Sequence, residues 1–364
     1  MIRRVAIRVV GLALVGVCLY LAGWSDRVEA ADGTVHHGTI FERSDDRVSI
    51  ETESGPVEVA IEHPDRAREG LRSALRRFRR QPGPAALAAL LYAAGMLLGF
   101  FRWGLLLRGA GISATQRDVM RFGWAGQFFS NLLPGGTSSG DLAKAFLAAH
   151  AAGGGKTRAV LSVIADRLVG VLVLSGVAGV ALLTAPAGSP VGVAGRVIAI
   201  VFAVCVVILA LLLWPALRRR LGVAWAAARL PGRIVILELA AVAKLYGARL
   251  GLVAGTAGLA LCGQVLMLTS LWYLGGAVGT WMGWAAVGVA LPVALLVSAV
   301  PALPGGWGVG DAAFFFFLTG SGVPGGHALA ISFLFRILHL LVSLPGAWMV
   351  GARERAEAEK ENVS

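Results

Sequence analysis

Two aspartates, each followed at a similar distance by an arginine, are the side chains in this sequence best suited to chemistry. Arg167 follows Asp141 after 26 positions, and Arg336 follows Asp311 after 25. All four lie in apolar sequence, where a charge at bilayer depth costs at least about 2.5–3.5 kcal/mol. A guanidinium can hold a phosphate through paired hydrogen bonds, and a carboxylate can pair with a cation or take a proton. The spacing therefore predicts either an internal ion pair in each copy or an anion-binding site.

A helix-breaking segment precedes each aspartate. Backbone that leaves the helix loses internal hydrogen bonds, which hydrocarbon tolerates only beside protein or a water-filled cavity. The helix that restarts afterwards presents free N–H groups and a positive dipole end, which suit an anion such as phosphate. The simpler interpretation is that each aspartate caps its own helix. The predicted substrate-binding residues of the two segments are Pro134, Gly135, Gly136 and Gly140, and Pro304, Gly305, Gly306 and Gly310.

Three more polar residues accompany the two pairs. Lys144 lies one turn after the first aspartate, and Asp166 directly precedes the first arginine. We predict that both belong to the substrate site; the alternative is that they snorkel to the interface. His339 lies one turn after the second arginine, on the same helical face. It is either a packed, hydrogen-bonded histidine or a proton relay of the same site.

The composition is that of a membrane protein with several spans. Of the 364 residues, 57% are hydrophobic and 15% charged, and the mean hydropathy is +0.73. A soluble protein carries about 25% charged residues. Residues 168–183 and 197–214 contain no charge, and a span needs about 20 apolar residues. We therefore predict an all-α polytopic membrane protein with about seven full spans and two re-entrant broken-helix hairpins that form an internal, inverted repeat.

The formal net charge of +12 bears on orientation and partners. In a membrane protein, excess Arg and Lys marks cytoplasmic loops, and anionic lipid headgroups at that face are the second expected contact. No basic-aromatic module supports nucleic-acid binding. Cys18, Cys205 and Cys262 stand singly in apolar runs, which is typical of packing residues. With no metal or cofactor motif in the sequence, we expect neither.

The first 83 residues are predicted to form one span and a small β-rich domain outside the membrane. Residues 1–24 are the span, with the N-terminus in the cytoplasm. Residues 25–83 are an extracytoplasmic insert that ends in a basic helix over 66–80. The basic charge of that helix favours the cytoplasmic side, but the charges of the remaining loops favour an extracytoplasmic position for the insert. Three segments of the insert alternate in polarity and predict a three-stranded meander, at 34–42, 47–53 and 56–62.

Residues 84–350 are the predicted membrane domain, and 351–364 a charged cytoplasmic tail. The first repeat covers about 118–214 and the second about 283–350, with a cytoplasmic amphipathic segment at 218–249. Counting crossings from a cytoplasmic N-terminus makes the two hairpins enter from opposite faces. We expect a multi-pass protein of the inner (cytoplasmic) membrane. The predicted spans and half-helices are 85–107, 118–132, 140–152, 157–184, 193–214, 250–274, 284–300, 312–320 and 328–350.

The paired motifs resemble the transmembrane region of lysylphosphatidylglycerol synthase and the wider flippase-like family of membrane proteins. The resemblance covers roughly residues 84–350. It implies that the membrane region moves lipids between leaflets; the separate soluble domain that makes the aminoacylated lipid in that family is not in this sequence. The usual pattern often has Glu in place of Asp311 and Asp166, and Arg near Lys144, so the charges match while the geometry is in question. The motifs that carry it are Pro134-Gly135-Gly136, Gly140-Asp141, Asp166-Arg167-Leu168, Leu303-Pro304-Gly305-Gly306, Gly308-Val309-Gly310-Asp311 and Arg336.

These features predict a lipid translocase and not an enzyme. Two hairpins that meet near the midplane would form an anion cavity, where the two arginines hold the phosphate of a phospholipid or polyprenyl-phosphate lipid. The two aspartates would exchange partners with the arginines or take protons. The geometric requirement is that the two Pro-Gly-Gly turns approach each other. Two alternatives stay open: a membrane enzyme acting on lipid-linked substrates, and a non-transporting scaffold that recruits a partner through residues 25–83.

Overall fold

The protein is mostly helical, with one small antiparallel sheet near the N-terminus, as the sequence predicts. The computed structural model describes residues 2–183 except 45, 62, 64–65, 134–136 and 153–154, residues 241–298 except 243, residues 308–349, and positions 200, 203–204 and 206. Both Pro-Gly-Gly segments and the tail at 351–364 lie outside the described residues. So do most of the predicted span 193–214 and most of the amphipathic segment 218–249.

The described elements follow the chain in two stretches. The first begins with α1 (Ile2–Ala22), β1 (Asp26–Glu29), β2 (Val35–Arg43), β3 (Arg47–Thr52), β4 (Gly55–Ala60), β5 (Ala67–Arg68) and α2 (Leu71–Arg80). It continues with α3 (Pro82–Gly109), α4 (Gln116–Leu132), α5 (Thr137–Ala151) and α6 (Lys156–Leu183). The second contains α7 (Leu250–Ala277), α8 (Trp284–Ser298), α9 (Val309–Thr319) and α10 (Gly325–Ser343).

Four of the described helices are long and apolar enough to cross a membrane. They are Pro82–Gly109, Lys156–Leu183, Leu250–Ala277 and Gly325–Met349, the last of which includes the residues after α10. A helix of 28 residues is about 42 Å long, which exceeds the hydrocarbon thickness of about 30 Å. Shorter apolar helices are Leu12–Ala22, Trp284–Ser298 and Val309–Thr319. The chain is therefore a multi-pass membrane protein.

The chain divides into two compact units. The described residues of the first unit lie within 1–92, 181–192 and 268–339. Those of the second lie within 93–180, 193–267 and 340–364. The first unit thus contains the N-terminal sheet, α8 and α9, and the second contains α4 and α5.

The N-terminal sheet has five strands in the order β4-β3-β2-β1-β5, with every neighbouring pair antiparallel. Its buried face includes Val28, Val48 and Ile50, each with 0% exposure. The prediction of a three-stranded meander was wrong in number: β2, β3 and β4 form it, and β1 and β5 extend it. Those strands have four and two residues, too short to show a polar-apolar alternation. For the same reason the basic helix begins at Leu71, after β5, and not at residue 66.

Asp26 fastens α2 to this sheet. Its carboxylate is fully buried and accepts hydrogen bonds from the backbone N–H of Gly70 (2.7 Å), from the hydroxyl of Ser73 (2.7 Å) and from the N–H of Ile40 (2.7 Å). A buried carboxylate is tolerated when such donors replace water. The one side chain thereby fixes the start of α2 against strands β1 and β2.

In the second unit, local signals set the boundaries of α3 and α4. After α3, Gly111 adopts φ +79°, a left-handed conformation that glycine takes without strain. The N–H of Ile112 donates to Leu107, and that of Gly111 donates to Arg108, which closes the helix as a Schellman motif. Thr115 then caps α4 through a reciprocal pair of hydrogen bonds with Asp118. α3 and α4 are thus joined by a short, defined turn.

The core of the second unit forms between α3, α4, α5 and α6. Trp103 of α3 packs with Val119 and Phe122 of α4, Ala148 of α5 and Val163 of α6. The indole N–H of Trp103 donates to Ser162 (3.2 Å), so this large buried side chain leaves no polar atom unsatisfied. These contacts hold in place the faces of α5 and α6 that carry the charged residues.

Candidate functional site

In the second unit, α4 and α5 contact each other closely at a glycine. A Cβ at Gly140 would collide with the Ser130 hydroxyl and with the carbonyl oxygen of Gly126. The Ser130 hydroxyl also donates to that carbonyl (3.0 Å). Only glycine permits this approach of the two backbones. The contact fixes the position of the next residue, Asp141.

Asp141 of α5 is held between two cations. Nε of Arg167 lies 2.5 Å from Oδ2 of Asp141, and Nζ of Lys144 lies 3.1 Å from Oδ1. The aspartate and lysine side chains are 16% and 15% exposed, whereas that of Arg167 is 48% exposed. Arg167 is therefore the most accessible member of this group.

A second carboxylate extends the group toward α3. Asp166 accepts a hydrogen bond from Nε of Arg102 at 2.8 Å, and its other oxygen lies 3.8 Å from Nζ of Lys144. Nζ of Lys144 also lies 5.2 Å from the ring centroid of Trp103, within cation–π distance. Arg102, Asp166, Lys144, Asp141 and Arg167 thus alternate in sign along one continuous contact path, which we call the ion chain.

The ion chain allows an exchange of partners. Removing one member of a buried ion pair usually strands the other charge, at a cost of about 3–5 kcal/mol. Here Asp141 would keep Lys144 if Arg167 turned to another anion. An incoming phosphate at Arg167 would therefore leave no carboxylate in the ion chain without a cation.

In the first unit, α8 and α9 repeat the glycine contact of α4 and α5. A Cβ at Gly310 would collide with the Ser298 hydroxyl and with Nη2 of Arg336, and would lie 3.4 Å from the carbonyl oxygen of Ala294. Ser298 follows Ala294 by four positions, as Ser130 follows Gly126. The same three features, a serine, a backbone carbonyl and a glycine before the aspartate, thus recur.

Asp311 is fully buried, and among the described residues its hydrogen-bond partners all belong to the first unit. Oδ1 accepts from Nε of Arg336 in a short ion pair and from the Ser332 hydroxyl at 2.5 Å. Oδ2 accepts from the backbone N–H of Gly308 at 2.8 Å, which caps the start of α9. Gly308 has φ +86°, so a glycine is favoured there. The capping interpretation therefore holds for Asp311 together with the ion-pair interpretation.

The sites around Asp141 and Asp311 have the same kind of ion pair but differ in how accessible the arginine is. Each aspartate pairs with the arginine of its own copy, as one of the sequence-based alternatives predicts. Asp311 is the third residue of α9 and caps it. Asp141 is the fifth residue of α5, and its partners among the described residues are the side chains of Lys144 and Arg167. Arg336 is 10% exposed, against 48% for Arg167. The second-unit site is thus the more open of the two.

Comparison with known proteins bears on the same region. Residues 68–346 match the family described as the lysylphosphatidylglycerol synthase TM region, which is more than half of the 364 residues. The chain belongs to this family. The match begins at β5, earlier than the predicted start at residue 84, so α2 lies within the lysylphosphatidylglycerol synthase TM region.

One relative of this family member is a UPF0104 membrane protein from Pyrococcus horikoshii. The two are 32% identical over 87 residues, which is 24% of this chain and 26% of the relative. The chain thus aligns with about a quarter of that protein's length. No solved structure matches the chain.

The structure brings together most of the predicted site residues that it describes. Asp141, Lys144, Asp166 and Arg167 meet in one unit, and Asp311 meets Arg336 in the other. Gly140 and Gly310 lie beside them. His339 packs edge-on against Tyr92 and forms a short hydrogen bond with its hydroxyl, as the packed, hydrogen-bonded alternative predicts. The remaining predicted residues, Pro134, Gly135, Gly136, Pro304, Gly305 and Gly306, lie outside the described part of the chain.

Two residues of these sites were missing from the sequence-based prediction. Arg102 pairs with Asp166 across 64 positions, and its place at the end of a predicted span made it resemble a loop arginine. Ser332 lies four positions before Arg336, on the same helical face. That spacing was a usable signal for Ser332, whereas no local signal identified Arg102.

Proposed function

We propose that this family member moves a phosphate-bearing lipid between the two leaflets of the membrane. The observation that carries the proposal is the recurrence of one arrangement in both units: a glycine packed on a serine, an aspartate after it, and an ion-paired arginine on the following long helix. Membership of the lysylphosphatidylglycerol synthase TM family supports a role at lipids. The contact geometry supports an internal duplication.

The proposed central step is an exchange of partners at Arg167. Its exposed guanidinium binds the lipid phosphate, while Lys144 retains Asp141. Arg336 and Asp311 perform the corresponding step in the first unit when their pair opens. Protonation of either aspartate would release its arginine in the same way. The cargo is a phospholipid or a polyprenyl-phosphate lipid.

The proposal includes a membrane arrangement. The Pro-Gly-Gly segments form two hairpins that enter from opposite faces, within about seven spans and an inverted repeat. Their residues Pro134, Gly135, Gly136, Pro304, Gly305 and Gly306 line the cargo path, and His339 lies beside it. The protein lies in the inner membrane with a cytoplasmic N-terminus, and its basic loops contact anionic lipids there. The proposed divisions are 1–24, 25–83, 84–350 and 351–364.

The test is a leaflet-exchange assay with the full chain in vesicles. Fluorescent phosphatidylglycerol is incorporated, and the fraction open to an external quencher is followed over time. Arg167→Ala should slow exchange by about tenfold or more, because a hydrogen bond to a charged group contributes about 1.5–3 kcal/mol. Arg167→Lys, which keeps the charge and loses the forked donors, should retain part of the rate.

Controls separate transport from folding and from chemistry. Arg167 is half-exposed, so its substitution should leave the size-exclusion profile unchanged. Arg336→Ala would leave the buried Asp311 carboxylate without its cation and could destabilise the fold. It is therefore compared with the Asp311→Asn, Arg336→Gln double variant, which removes both charges. Unchanged exchange in Arg167→Ala would refute the proposed role. A covalently altered lipid after incubation with the purified chain would refute the proposal that it is not an enzyme.

A further inference from the structure

A large groove runs along the hairpin of α4 and α5. The two helices lie antiparallel, since Ser139 at the start of α5 donates to the carbonyl of Phe129 near the end of α4 (3.4 Å). The groove has a volume of about 990 Å³ and extends from Arg121 and His150 at one end to Leu133 and Ser139 at the other. This volume is at the upper end of the range for small-molecule sites.

The wall of the groove is apolar and turned away from the core of the unit. Leu142 and Phe146 of α5 line it and are 66% and 64% exposed. The opposite faces of the same helices carry buried core residues such as Val119 and Ala145. Large apolar side chains at such exposure suit an apolar occupant or the lipid itself.

The mouth of the groove presents one guanidinium, that of Arg121. Asp118 lies there too, but its carboxylate is bound to the backbone N–H and hydroxyl of Thr115 at the cap of α4. The Arg121 side chain is exposed, and among the described residues it forms no ion pair. The His150 ring stacks on Phe146, with an interplanar angle of 15°. A guanidinium and an imidazole therefore stand where the apolar wall begins.

The length of the groove matches one leaflet. From Arg121 to Leu133, α4 rises about 18 Å at 1.5 Å per residue. Half of a hydrocarbon core of about 30 Å is about 15 Å. A lipid with its phosphate at Arg121 would therefore reach the end of α4, next to the first Pro-Gly-Gly segment.

We propose that this groove binds one phospholipid, with its phosphate at Arg121 and an acyl chain along Leu142 and Phe146. The proposal rests on the proposed translocase function and names the place where the cargo waits before it reaches Arg167. The cation at one end and the single-leaflet length favour a phospholipid over an apolar helix, which would need neither feature. The headgroup contact is electrostatic and the chain contact is apolar, so each can be removed separately.

The experiment is photolabelling of the full chain in vesicles with two probes. One is phosphatidylglycerol with a photoreactive acyl chain, and the other is diacylglycerol with the same chain but no phosphate. Label from the first probe should map to residues 116–151. Leu142→Trp, which fills the groove, should lower labelling by both probes. Arg121→Gln should lower phosphatidylglycerol labelling by about tenfold and leave diacylglycerol labelling unchanged.

The matched control is Leu261→Trp, at a leucine of α7 that is 48% exposed and outside the groove. Equal labelling of the Leu142→Trp and Leu261→Trp variants would overturn the proposal. The proposal would also be overturned if the unsubstituted chain were a dimer and Leu142→Trp a monomer, because a second copy of the chain would then occupy the groove. Leaflet exchange is measured in the same vesicles. Labelled residues 116–151 without any exchange would support the groove and refute the translocase.

Discussion

Nε2 of His327 lies 3.0 Å from Oε2 of Glu69, across 258 positions of sequence. Both side chains are nearly buried, at 3% and 9% exposure. Glu69 also accepts from Arg77 of α2 (2.7 Å), and the other ring nitrogen of His327 forms a short hydrogen bond with Thr280. The segment before α2 is thereby tied to the start of α10 and to the loop before α8.

The Glu69 contact leads to a stability prediction. Glu69→Gln removes the charge shared by Arg77 and His327, so we expect the free energy of unfolding to fall by about 1.5–3 kcal/mol. Glu29→Gln is the matched control, since Glu29 pairs with Arg66 in a more exposed bridge (3.2 Å) worth about 0–1 kcal/mol. Thermal unfolding of the detergent-solubilised chain measures both. Equal melting temperatures for the two variants would contradict the prediction.

The two glycine contacts predict a matched pair of sensitive positions. Gly140→Ala would force a methyl group onto the Ser130 hydroxyl and the Gly126 carbonyl, and Gly310→Ala onto the Ser298 hydroxyl and the Arg336 guanidinium. Each should destabilise by about 1–3 kcal/mol. Gly258→Ala on α7 meets nothing within 4 Å and should be neutral or stabilising, because alanine favours the helix. Melting temperatures of the three variants test this. Tolerance of alanine at both 140 and 310 would show that the helices do not approach as described.

The ion chain predicts strong coupling between Arg102 and Asp166. Single variants Arg102→Gln and Asp166→Asn should each destabilise, and the double variant should cost less than their sum, with a coupling of about 0.5–3 kcal/mol. A double-mutant cycle measures this coupling, with stability followed by thermal unfolding in the absence of chemical denaturant. Arg108 pairs with the neutral Gln116 (3.3 Å), so a cycle there provides the weaker reference. Additive changes in the free energy of unfolding for the Arg102 and Asp166 variants would contradict a buried ion pair.

The hydrogen bond from Ser332 to Asp311 leads to a prediction about the stability of the first-unit site. Ser332→Ala removes a hydrogen bond to the fully buried Asp311 carboxylate, and should lower the free energy of unfolding by about 1–3 kcal/mol. Ser321→Ala is the control, since that exposed hydroxyl bonds only a helix carbonyl. Chemical denaturation in detergent compares them. If Ser332→Ala were as stable as Ser321→Ala, the hydroxyl would not support Asp311.

Local patterns located the long helices among the described residues and offered the two ion pairs as one of two alternatives. Apolar runs bounded by Gly, Pro and charge located α3 and α6 to within a few residues, because length and hydropathy decide a span. The pairs Asp141–Arg167 and Asp311–Arg336 were found as one of two alternatives, since a charge in apolar sequence needs a partner.

Long-range contacts were beyond the sequence. β1 and β5 pair with each other through Arg27 with Arg68 and Val28 with Ala67, although the chain between them is long, and neither strand has enough residues to show a strand pattern. Arg102 contacts Asp166, and Tyr92 contacts His339, between helices that are distant in sequence. No rule of residue spacing predicts such contacts. The inverted repeat and the approach of the Pro-Gly-Gly turns stay predictions.

The ion chain of Arg102, Asp166, Lys144, Asp141 and Arg167 has an uneven count of charges: three positive and two negative. Its formal sum is one positive charge, whereas Asp311 and Arg336 sum to zero. A phosphodiester, with one negative charge, would bring the ion chain to neutrality, and a doubly charged phosphomonoester would carry it past that point. On the proposed translocase function, the charge of these five side chains suits a singly charged lipid phosphate at the ion chain, whereas the pair of Asp311 and Arg336 is neutral without any ligand.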